Sequence, residues 1–161
     1  MSIDFDRVLP RVLVGTYPEN AEDIELLGRD HQVTAVLNLQ TEEDFARLGC
    51  DWPSLEEAYR RLDIEVCRVP VRDFDTADLT LHLTECVQAL ADLLERGHTV
   101  YVHCSAGLGR SPSVVIAYLN WIEGLDLAEA IDQINQRHPC VPNEEAIRRA
   151  EAEARKRFAT Q

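Results

Sequence analysis

One stretch of the chain, which lies between a predicted buried strand and a predicted helix, restricts the possible folds more than any other. The stretch is His103-Cys104-Ser105-Ala106-Gly107-Leu108-Gly109-Arg110-Ser111-Pro112. The strand before it, residues 99–102 (TVYV), has no side chain polar enough for an exposed sheet face, which predicts a central position in a sheet. A strand that passes through a short loop into a helix is the repeating unit of parallel sheets, so the sequence indicates an α/β protein.

Strands and helices are predicted to alternate along the rest of the chain. The other predicted strands are residues 11–15, 33–39 and 64–69, and the predicted helices are residues 20–29, 54–62, 79–95, 111–122, 127–137 and 144–157. The segments 40–52 and 70–78 are expected to be loops. This order predicts a single-domain α/β fold with a central, mainly parallel sheet of about four to five strands, flanked by helices on both faces. We expect the domain to take up residues 1–161, with its core at about 7–155.

Capping residues mark the predicted helix starts. Ser54 with Glu57 predicts a capping box for the helix at 54–62, and Asp78 is the expected N-cap of the helix at 79–95. Asp126 and Asn143 are expected to begin the last two helices.

Composition and charge argue against several classes of partner. The 161 residues are 45% hydrophobic and carry a formal net charge of −13. Such a charge repels nucleic acid and anionic membrane surfaces, so we expect neither as a partner. No apolar run approaches the ~20 residues of a membrane span, and the acidic N-terminus lacks the apolar segment of a secretory signal. We expect a cytoplasmic monomer.

The cysteines predict a reducing compartment. The chain has five, Cys50, Cys67, Cys86, Cys104 and Cys140, an odd number at wide spacings with no C-x-x-C pair. This pattern argues against a disulfide framework and a zinc site. For every cysteine except Cys104 we expect a structural role or an inert thiol.

The loop at 103–110 has the composition of an anion-binding nest. A helix N-terminus offers unpaired N–H groups and the positive end of the helix dipole. Small residues and two glycines allow the backbone to curl so that successive N–H groups point inward. The expected phosphate-binding residues are Ser105, Ala106, Gly107, Leu108, Gly109 and Arg110.

A cysteine at the mouth of such a nest is activated by the same positive field. The nest favours the thiolate of Cys104, and the thiolate is the nucleophile. Arg110 follows six residues later, and its planar fork can hold two phosphate oxygens at once. Ser111 is expected to donate a hydrogen bond to the sulfur as it departs from phosphate. His103 is expected to order the loop through a backbone hydrogen bond rather than to act as a base.

The leaving group of a phosphate ester needs a proton, and the loop after strand 64–69 carries carboxyl groups. Asp73 and Asp75 lie at the carboxyl end of that strand, the edge of a parallel sheet where ligands bind. Either residue is a candidate general acid. We prefer Asp73 and expect Phe74 to pack over the pocket.

Several motifs together point to a family. His103-Cys104-x5-Arg110-Ser111 resembles the signature of protein tyrosine phosphatases, and the short chain resembles their dual-specificity branch. The remaining motifs are similar to the phosphatase domain of plant glucan phosphatases of the starch-excess type, which are related to laforin. These motifs are Arg72-Asp73-Phe74-Asp75, the helix with Tyr118 and Trp121, and Pro139-Cys140-Val141-Pro142-Asn143 followed by Ala146-Ile147-Arg148. The similarity covers about residues 7–155.

The resemblance implies a mechanism and a substrate. It implies a phosphocysteine intermediate on Cys104 without a metal ion or cofactor, and Asp73 as the acid and later the base that activates water. It also implies a phosphorylated glucan as substrate, although Arg47 and Leu48 stand where glucan phosphatases carry an aromatic pair. The aromatic residues that we expect to line a sugar channel are Phe74, Tyr17, Trp52 and Trp121.

Two other functions stay open. The same chemistry serves a phosphatase for phosphotyrosine and phosphoserine/threonine in proteins. A phosphate-binding pseudophosphatase scaffold is a different class, against which the presence of Cys104, Arg110 and Asp73 argues. Arsenate reductase and rhodanese chemistry fit less well. No second cysteine lies near the loop, and the spacing of six residues from Cys104 to Arg110 argues against both.

Overall fold

Five strands of the computed structural model, which describes residues 3–159, form one sheet. They are β1 (Phe5–Leu9), β2 (Val12–Gly15), β3 (Ala35–Asn38), β4 (Glu65–Arg68) and β5 (Val100–His103). Their order in the sheet is β1-β2-β5-β3-β4. The pairs β2–β5, β5–β3 and β3–β4 are parallel, and only β1 runs antiparallel, to β2. The predicted mainly parallel sheet is confirmed.

The strand before the candidate phosphate loop is the middle strand of the sheet. All four residues of β5 are buried, and Val102 pairs with Val14 on one side and Leu37 on the other. The predicted central position follows from this burial, because a strand covered on both faces has no place for polar side chains. The loop at 103–110 therefore leaves the sheet at its centre.

Helices cover both faces of the sheet, as predicted. The helices are α1 (Ala21–Glu25), α2 (Glu42–Leu48), α3 (Trp52–Arg61), α4 (Thr76–Glu95), α5 (Arg110–Trp121), α6 (Leu127–Arg137) and α7 (Glu144–Phe158). A π-helical turn, Leu26–Asp30, continues α1. One apolar core lies between the sheet and α4 to α7, and a second lies on the opposite face under α1 and α3.

Strand β1 was not expected from the sequence. Its residues Phe5–Leu9 alternate poorly, because Asp6 and Arg7 interrupt the apolar positions. It forms through pairing with β2 at the edge of the sheet, where one side of the strand faces solvent and charged residues are tolerated.

Two helix starts and one loop were predicted wrongly. The segment 40–52 is not a polar loop but contains α2, which starts at a capping box between Thr41 and Asp44. Helix α3 begins at Trp52 with Asp51 as its N-cap, so the expected box at Ser54 does not form. In α4 the N-cap is Asp75, which accepts a hydrogen bond from the Asp78 N–H, rather than Asp78 itself. Asp126 and Asn143 cap α6 and α7 as expected.

Among the described residues, no helix is both long enough and apolar enough to cross a membrane.

Candidate active site

Cys104 lies at the centre of the sheet's carboxyl edge, between β5 and α5. Its side chain is almost fully buried but contributes to the lining of a cavity beside the loop. The Cys104 Sγ lies 3.2 Å from the Ser111 Oγ in the first turn of α5. A hydroxyl in this position can donate to a sulfur anion, which is the arrangement predicted from the sequence.

The loop carbonyls are held by donors outside the nest. The Ser105 carbonyl accepts from the Tyr17 N–H at 3.1 Å, and the Leu108 carbonyl accepts from the Val141 N–H at 2.7 Å. The Gly109 carbonyl accepts from both the backbone N–H and the hydroxyl of Ser113. A trans peptide places the next N–H opposite its carbonyl. The N–H groups of the residues that follow are therefore turned toward the inside of the loop.

Gly107 allows the loop to close against the neighbouring strand. Its φ is +73°, in the left-handed region, and a Cβ atom there would lie 2.6 Å from the backbone carbon of Gly15. Only glycine fits both the backbone conformation and this approach. The first glycine of the motif is thus required by the packing of the loop on β2.

The Arg110 side chain is buried, and its guanidinium group is only partly hydrogen-bonded. Its Nη1 donates to the Asp44 carboxylate at 2.8 Å and to the Val71 carbonyl at 2.7 Å. Its Nη2 lies 3.4 Å from the Asp73 carboxylate and 3.4 Å from the Ser105 hydroxyl. Its Nε is buried and has no partner among the described residues. A buried, unpaired donor is costly, and Nε with the adjacent Nη2 has the geometry to donate to two oxygens of one oxyanion.

Asp44, which holds Arg110 in place, was missed in the sequence. It lies on α2, in the segment 40–52 that the sequence predicts as a loop, and the side chains of Asp44 and Arg110 are both about 95% buried. The signal that identifies it is Thr41-x-x-Asp44, a capping box in which Asp44 accepts from the Thr41 N–H at 2.9 Å. The same carboxylate that starts α2 thus orients the arginine of the phosphate loop.

Asp44 gives the stability of the domain an acid dependence. Burial alone would raise the pKa of this carboxyl, but hydrogen bonds from Arg110 and Thr41 outweigh burial and lower the pKa to about 2. Because the unfolded value is about 3.9, the unfolded state binds more protons between these two values, and stability rises with pH across that window.

We therefore expect the free energy of unfolding to fall as the pH drops from about 4 to about 2. The variant Asp44→Asn should be less stable than wild type at pH 7 by about 1.5–3 kcal/mol, because Arg110 loses a charged partner. The free energy of unfolding of this variant should also fall less steeply as the pH drops. Urea unfolding at several pH values measures both effects. Glu43→Gln, at the exposed neighbouring position, is the control and should follow wild type; equal acid slopes for Asp44→Asn and wild type contradict the prediction.

The loop after β4 places Asp73 rather than Asp75 beside the phosphate loop. The Asp73 Oδ2 lies 3.4 Å from the Arg110 Nη2, and the Asp73 Oδ1 accepts from the Phe74 N–H at 3.1 Å. Asp75 is occupied as the N-cap of α4 and lies 3.5 Å from the Arg72 Nε. Asp78 accepts from the Arg72 N–H at 2.8 Å.

A cavity of about 520 Å³ opens above Cys104. Phe74 projects fully into solvent at its rim, with a φ of +56°, an unusual backbone conformation for a residue with a side chain. Leu108 and Val141 are two further large, exposed apolar side chains of this rim, and Arg110 and Asp73 form part of its polar lining. The cavity is much larger than a phosphate ion and is bounded largely by apolar groups.

The other aromatic candidates do not line this cavity. Trp52 stacks on Phe45 with ring centroids 5.4 Å apart and lies under the Arg68 guanidinium. Trp121 is at the far end of α5, about 16 Å along the helix from Arg110, and packs against Phe158. Each of the two tryptophans is used in packing, and neither lines the cavity above Cys104. Tyr17 is half-buried and touches the loop through its backbone.

His103 is placed to order the loop. Its Nδ1 lies 2.9 Å from the Cys104 carbonyl, and the ring is fully buried. Burial lowers the pKa of His103 to about 4, with the nearby Arg110 and Arg68 charges adding to the effect. The ring is therefore neutral at pH 7 and donates its Nδ1–H to the carbonyl, as expected for a residue with a structural role.

The remaining cysteines have the features of inert thiols. Burial raises the pKa of the thiols of Cys50, Cys67, Cys86 and Cys140. Within residues 3–159, no group of three or more His, Cys, Asp and Glu side chains is arranged to hold a metal ion.

Comparison with known proteins identifies the family. The model of the dual specificity phosphatase catalytic domain matches residues 16–152. The chain is 34% identical over 155 residues to the "Phosphoglucan phosphatase DSP4, amyloplastic" of Castanea sativa, a match that covers 95% of this chain and 41% of that protein. It is 32% identical over 168 residues to "Laforin" of Mus musculus, with 98% of this chain and 51% of that protein covered.

The fold agrees with these matches. The crystal structure of PTPMT1 superimposes with a TM-score of 0.78 at 26% sequence identity, covering 98% of this chain and 100% of the other. The chain spans only about two fifths to one half of the length of the two relatives above. Since the family model covers most of the chain and the fold is that of a cysteine phosphatase, the chain belongs to the dual specificity phosphatase family, a family of metal-independent hydrolases of phosphate monoesters.

Proposed function

We propose that this chain hydrolyses phosphate monoesters through a phosphocysteine intermediate on Cys104, with a phosphorylated glucan as substrate. The observation that carries the catalytic part is the convergence of three groups on one cavity. Cys104, Arg110 and Asp73 all line this cavity, the Arg110 Nε has no partner among the described residues, and the Asp73 carboxyl lies 3.4 Å from the Arg110 Nη2.

The first step transfers phosphate to sulfur. The Cys104 thiolate attacks phosphorus, an S–P bond forms and the ester P–O bond breaks. Asp73 gives its proton to the departing oxygen, which leaves as an alcohol. Arg110 and the inward N–H groups of residues 105–110 hold the three equatorial oxygens, where charge is greatest in the transition state.

The second step returns phosphate to water. Asp73, now a carboxylate, takes a proton from a water molecule as its oxygen attacks phosphorus, and the S–P bond breaks. Ser111, 3.2 Å from the sulfur, donates a hydrogen bond to the departing thiolate. Inorganic phosphate then leaves the nest, and Asp73 is protonated again for the next cycle.

The substrate is assigned from similarity and from the rim of the cavity. The relative from Castanea sativa is by name a phosphoglucan phosphatase, at 34% identity over 95% of this chain. The exposed ring of Phe74 at the cavity rim offers a face on which a sugar ring can stack.

A protein phosphatase is the second candidate, and a specific observation favours it. Arg47 and Leu48 occupy the positions where an aromatic pair would bind sugar, and Trp52, which follows closely, is stacked on Phe45 and unavailable. In this case Phe74, Leu108 and Val141 would contact the side chains that flank a phosphorylated residue.

Side-by-side rates separate the two substrates. We expect purified protein in reducing buffer to release phosphate from p-nitrophenyl phosphate and from phosphorylated amylopectin, and to turn over phosphopeptides at least about tenfold less efficiently than the glucan. Phe74→Ala should lower kcat/KM on the glucan more than on p-nitrophenyl phosphate. The absence of turnover on p-nitrophenyl phosphate contradicts the enzyme assignment. Activity on phosphopeptides but not on the glucan would contradict the glucan assignment and identify a phosphoprotein as the substrate.

A further inference from the structure

The carbonyl of Gly107, at the tip of the phosphate loop, is held by a side chain from a distant part of the chain. The His138 Nε2 lies 2.7 Å from the Gly107 carbonyl oxygen, and the bond is buried. The carbonyls of Ser105 and Leu108 on either side are held by backbone N–H groups. Of these three carbonyls, only that of Gly107 accepts from a titratable side chain.

The other nitrogen of the same ring contacts a carboxylate. The His138 Nδ1 lies 2.7 Å from the Asp6 Oδ2 on β1. Both partners of the ring are hydrogen-bond acceptors, because a carbonyl and a carboxylate have no proton to give. Two short bonds to two acceptors can form together only when both ring nitrogens of His138 act as N–H donors.

The surroundings of His138 favour a positive charge on this ring. The ring is about 92% buried beside Asp6, which is about half exposed. His138 is also the C-cap of α6, where the helix presents the negative end of its dipole. The two histidines near the loop thus differ in their surroundings: His103 donates to the Cys104 carbonyl and has no carboxylate partner, whereas His138 lies against the Asp6 carboxylate.

The bond to Gly107 has a direct consequence for the nest. The Gly107 carbonyl and the Leu108 N–H belong to one planar trans peptide and point in opposite directions. A donor that holds the carbonyl outward therefore turns the Leu108 N–H inward. Because Gly107 has no side chain, its own dihedral angles restrict this peptide less than those of its neighbours would, and the bond from His138 adds a restraint.

We propose that His138, charged through its ion pair with Asp6, is a positioning residue that holds the Gly107 carbonyl and thereby aims the Leu108 N–H at the phosphate. Asp6 lies in a strand that was not predicted and His138 at the end of α6, so the sheet edge and α6 both contribute to the nest. The inference rests on the proposed phosphatase function.

The test compares three variants on p-nitrophenyl phosphate, with inorganic phosphate as a competitive inhibitor. In His138→Gln we expect KM and the inhibition constant of phosphate to rise and kcat/KM to fall by about tenfold, the effect of one lost charged hydrogen bond. Asp6→Asn should show a smaller change in the same direction. His138→Arg, which keeps a cation with several donors, should restore most of the affinity.

Two matched controls change a histidine and an aspartate that lie outside the contacts of Gly107. His98 also contacts a carboxylate, Glu65 at 3.4 Å, but lies before the amino-terminal end of β5, away from the phosphate loop, so His98→Gln should leave both constants unchanged. Asp4→Asn alters an exposed carboxyl next to β1 and serves the same purpose for Asp6. A role limited to folding would reduce the active fraction, and hence kcat, without changing KM or the inhibition constant.

Nitrogen-15 spectra of the His138 ring test the charge independently of turnover. We expect both ring nitrogens to be protonated at pH 7 in wild type and the proton on one of them to be lost in Asp6→Asn. A ring with one bare nitrogen in wild type, or His138→Gln with unchanged KM and phosphate inhibition, overturns the proposal. If wild type itself shows no turnover, the proposed function fails, and phosphate titration followed by these spectra still decides the role of His138.

Discussion

The variant Cys104→Ser is expected to lose turnover of p-nitrophenyl phosphate by at least about 10⁴-fold, because a serine hydroxyl is not ionised at neutral pH and cannot form the phosphoenzyme at a comparable rate. The substitution replaces the sulfur atom by oxygen. In wild type that sulfur lies 3.2 Å from the Ser111 Oγ, so a hydrogen bond to Ser111 can still form in the variant. Steady-state phosphate release measures the effect.

Binding of inorganic phosphate separates lost chemistry from lost structure in this variant. The loop N–H groups and Arg110 are unchanged in Cys104→Ser, so calorimetry should still detect phosphate binding. Cys67→Ser, at a half-buried cysteine on β4, is the control and should keep full activity. In wild type, an acid-quenched reaction should yield the peptide of Cys104 carrying phosphate. Residual turnover near the wild-type rate in Cys104→Ser would disprove the cysteine mechanism.

The variant Asp73→Asn is expected to lower kcat by roughly 10²–10⁴-fold. An amide keeps the shape of the side chain and a contact with the Arg110 Nη2, which lies 3.4 Å from the carboxylate, but has no proton to give. The loss should depend on the leaving group. It should be larger on a sugar phosphate, whose alkoxide leaves poorly without a proton, than on p-nitrophenyl phosphate, whose phenolate leaves readily.

Asp75→Asn is the matched control for Asp73. Asp75 is two residues away and caps α4 through the Asp78 N–H at 2.9 Å. Asparagine is also a good N-cap, so this variant should change stability by less than about 1 kcal/mol and leave kcat within a factor of about two. A pH–rate profile of each variant completes the comparison, since only loss of the general acid should remove the alkaline limb. The reverse pattern, with Asp75→Asn inactive and Asp73→Asn active, would exchange their roles.

Local sequence signals accounted for much of the fold. The apolar runs at β5 and β3 and the helical periodicity of α4 predicted the alternating order, because burial on both faces of a parallel sheet leaves a continuous apolar strand. The errors occurred where a short-range signal was weak. Strand β1 forms only through pairing with β2, and the start of α2 depends on a capping box.

The sequence by itself determined the chemistry of the loop at 103–110. The cysteine, the glycines, the arginine and the serine follow one another in one short segment between a strand and a helix. The nucleophile, the anion-binding loop and the phosphate-binding arginine can therefore be predicted without knowledge of distant contacts. Asp73 and Asp75 lie outside this contiguous segment, so the sequence named both as candidate acids and favoured Asp73 only by a preference.

Only the tertiary structure decided which distant groups complete the site. Asp44 on α2 binds Arg110, His138 at the end of α6 holds Gly107, and Asp6 on the edge strand pairs with His138. These contacts join residues separated by 31 to 132 positions, and no local periodicity encodes them. The packing of helices on a sheet brings them together, and the same packing turns Trp52 and Trp121 away from the cavity, because burial in the core stabilises a large aromatic side chain more than exposure at its rim.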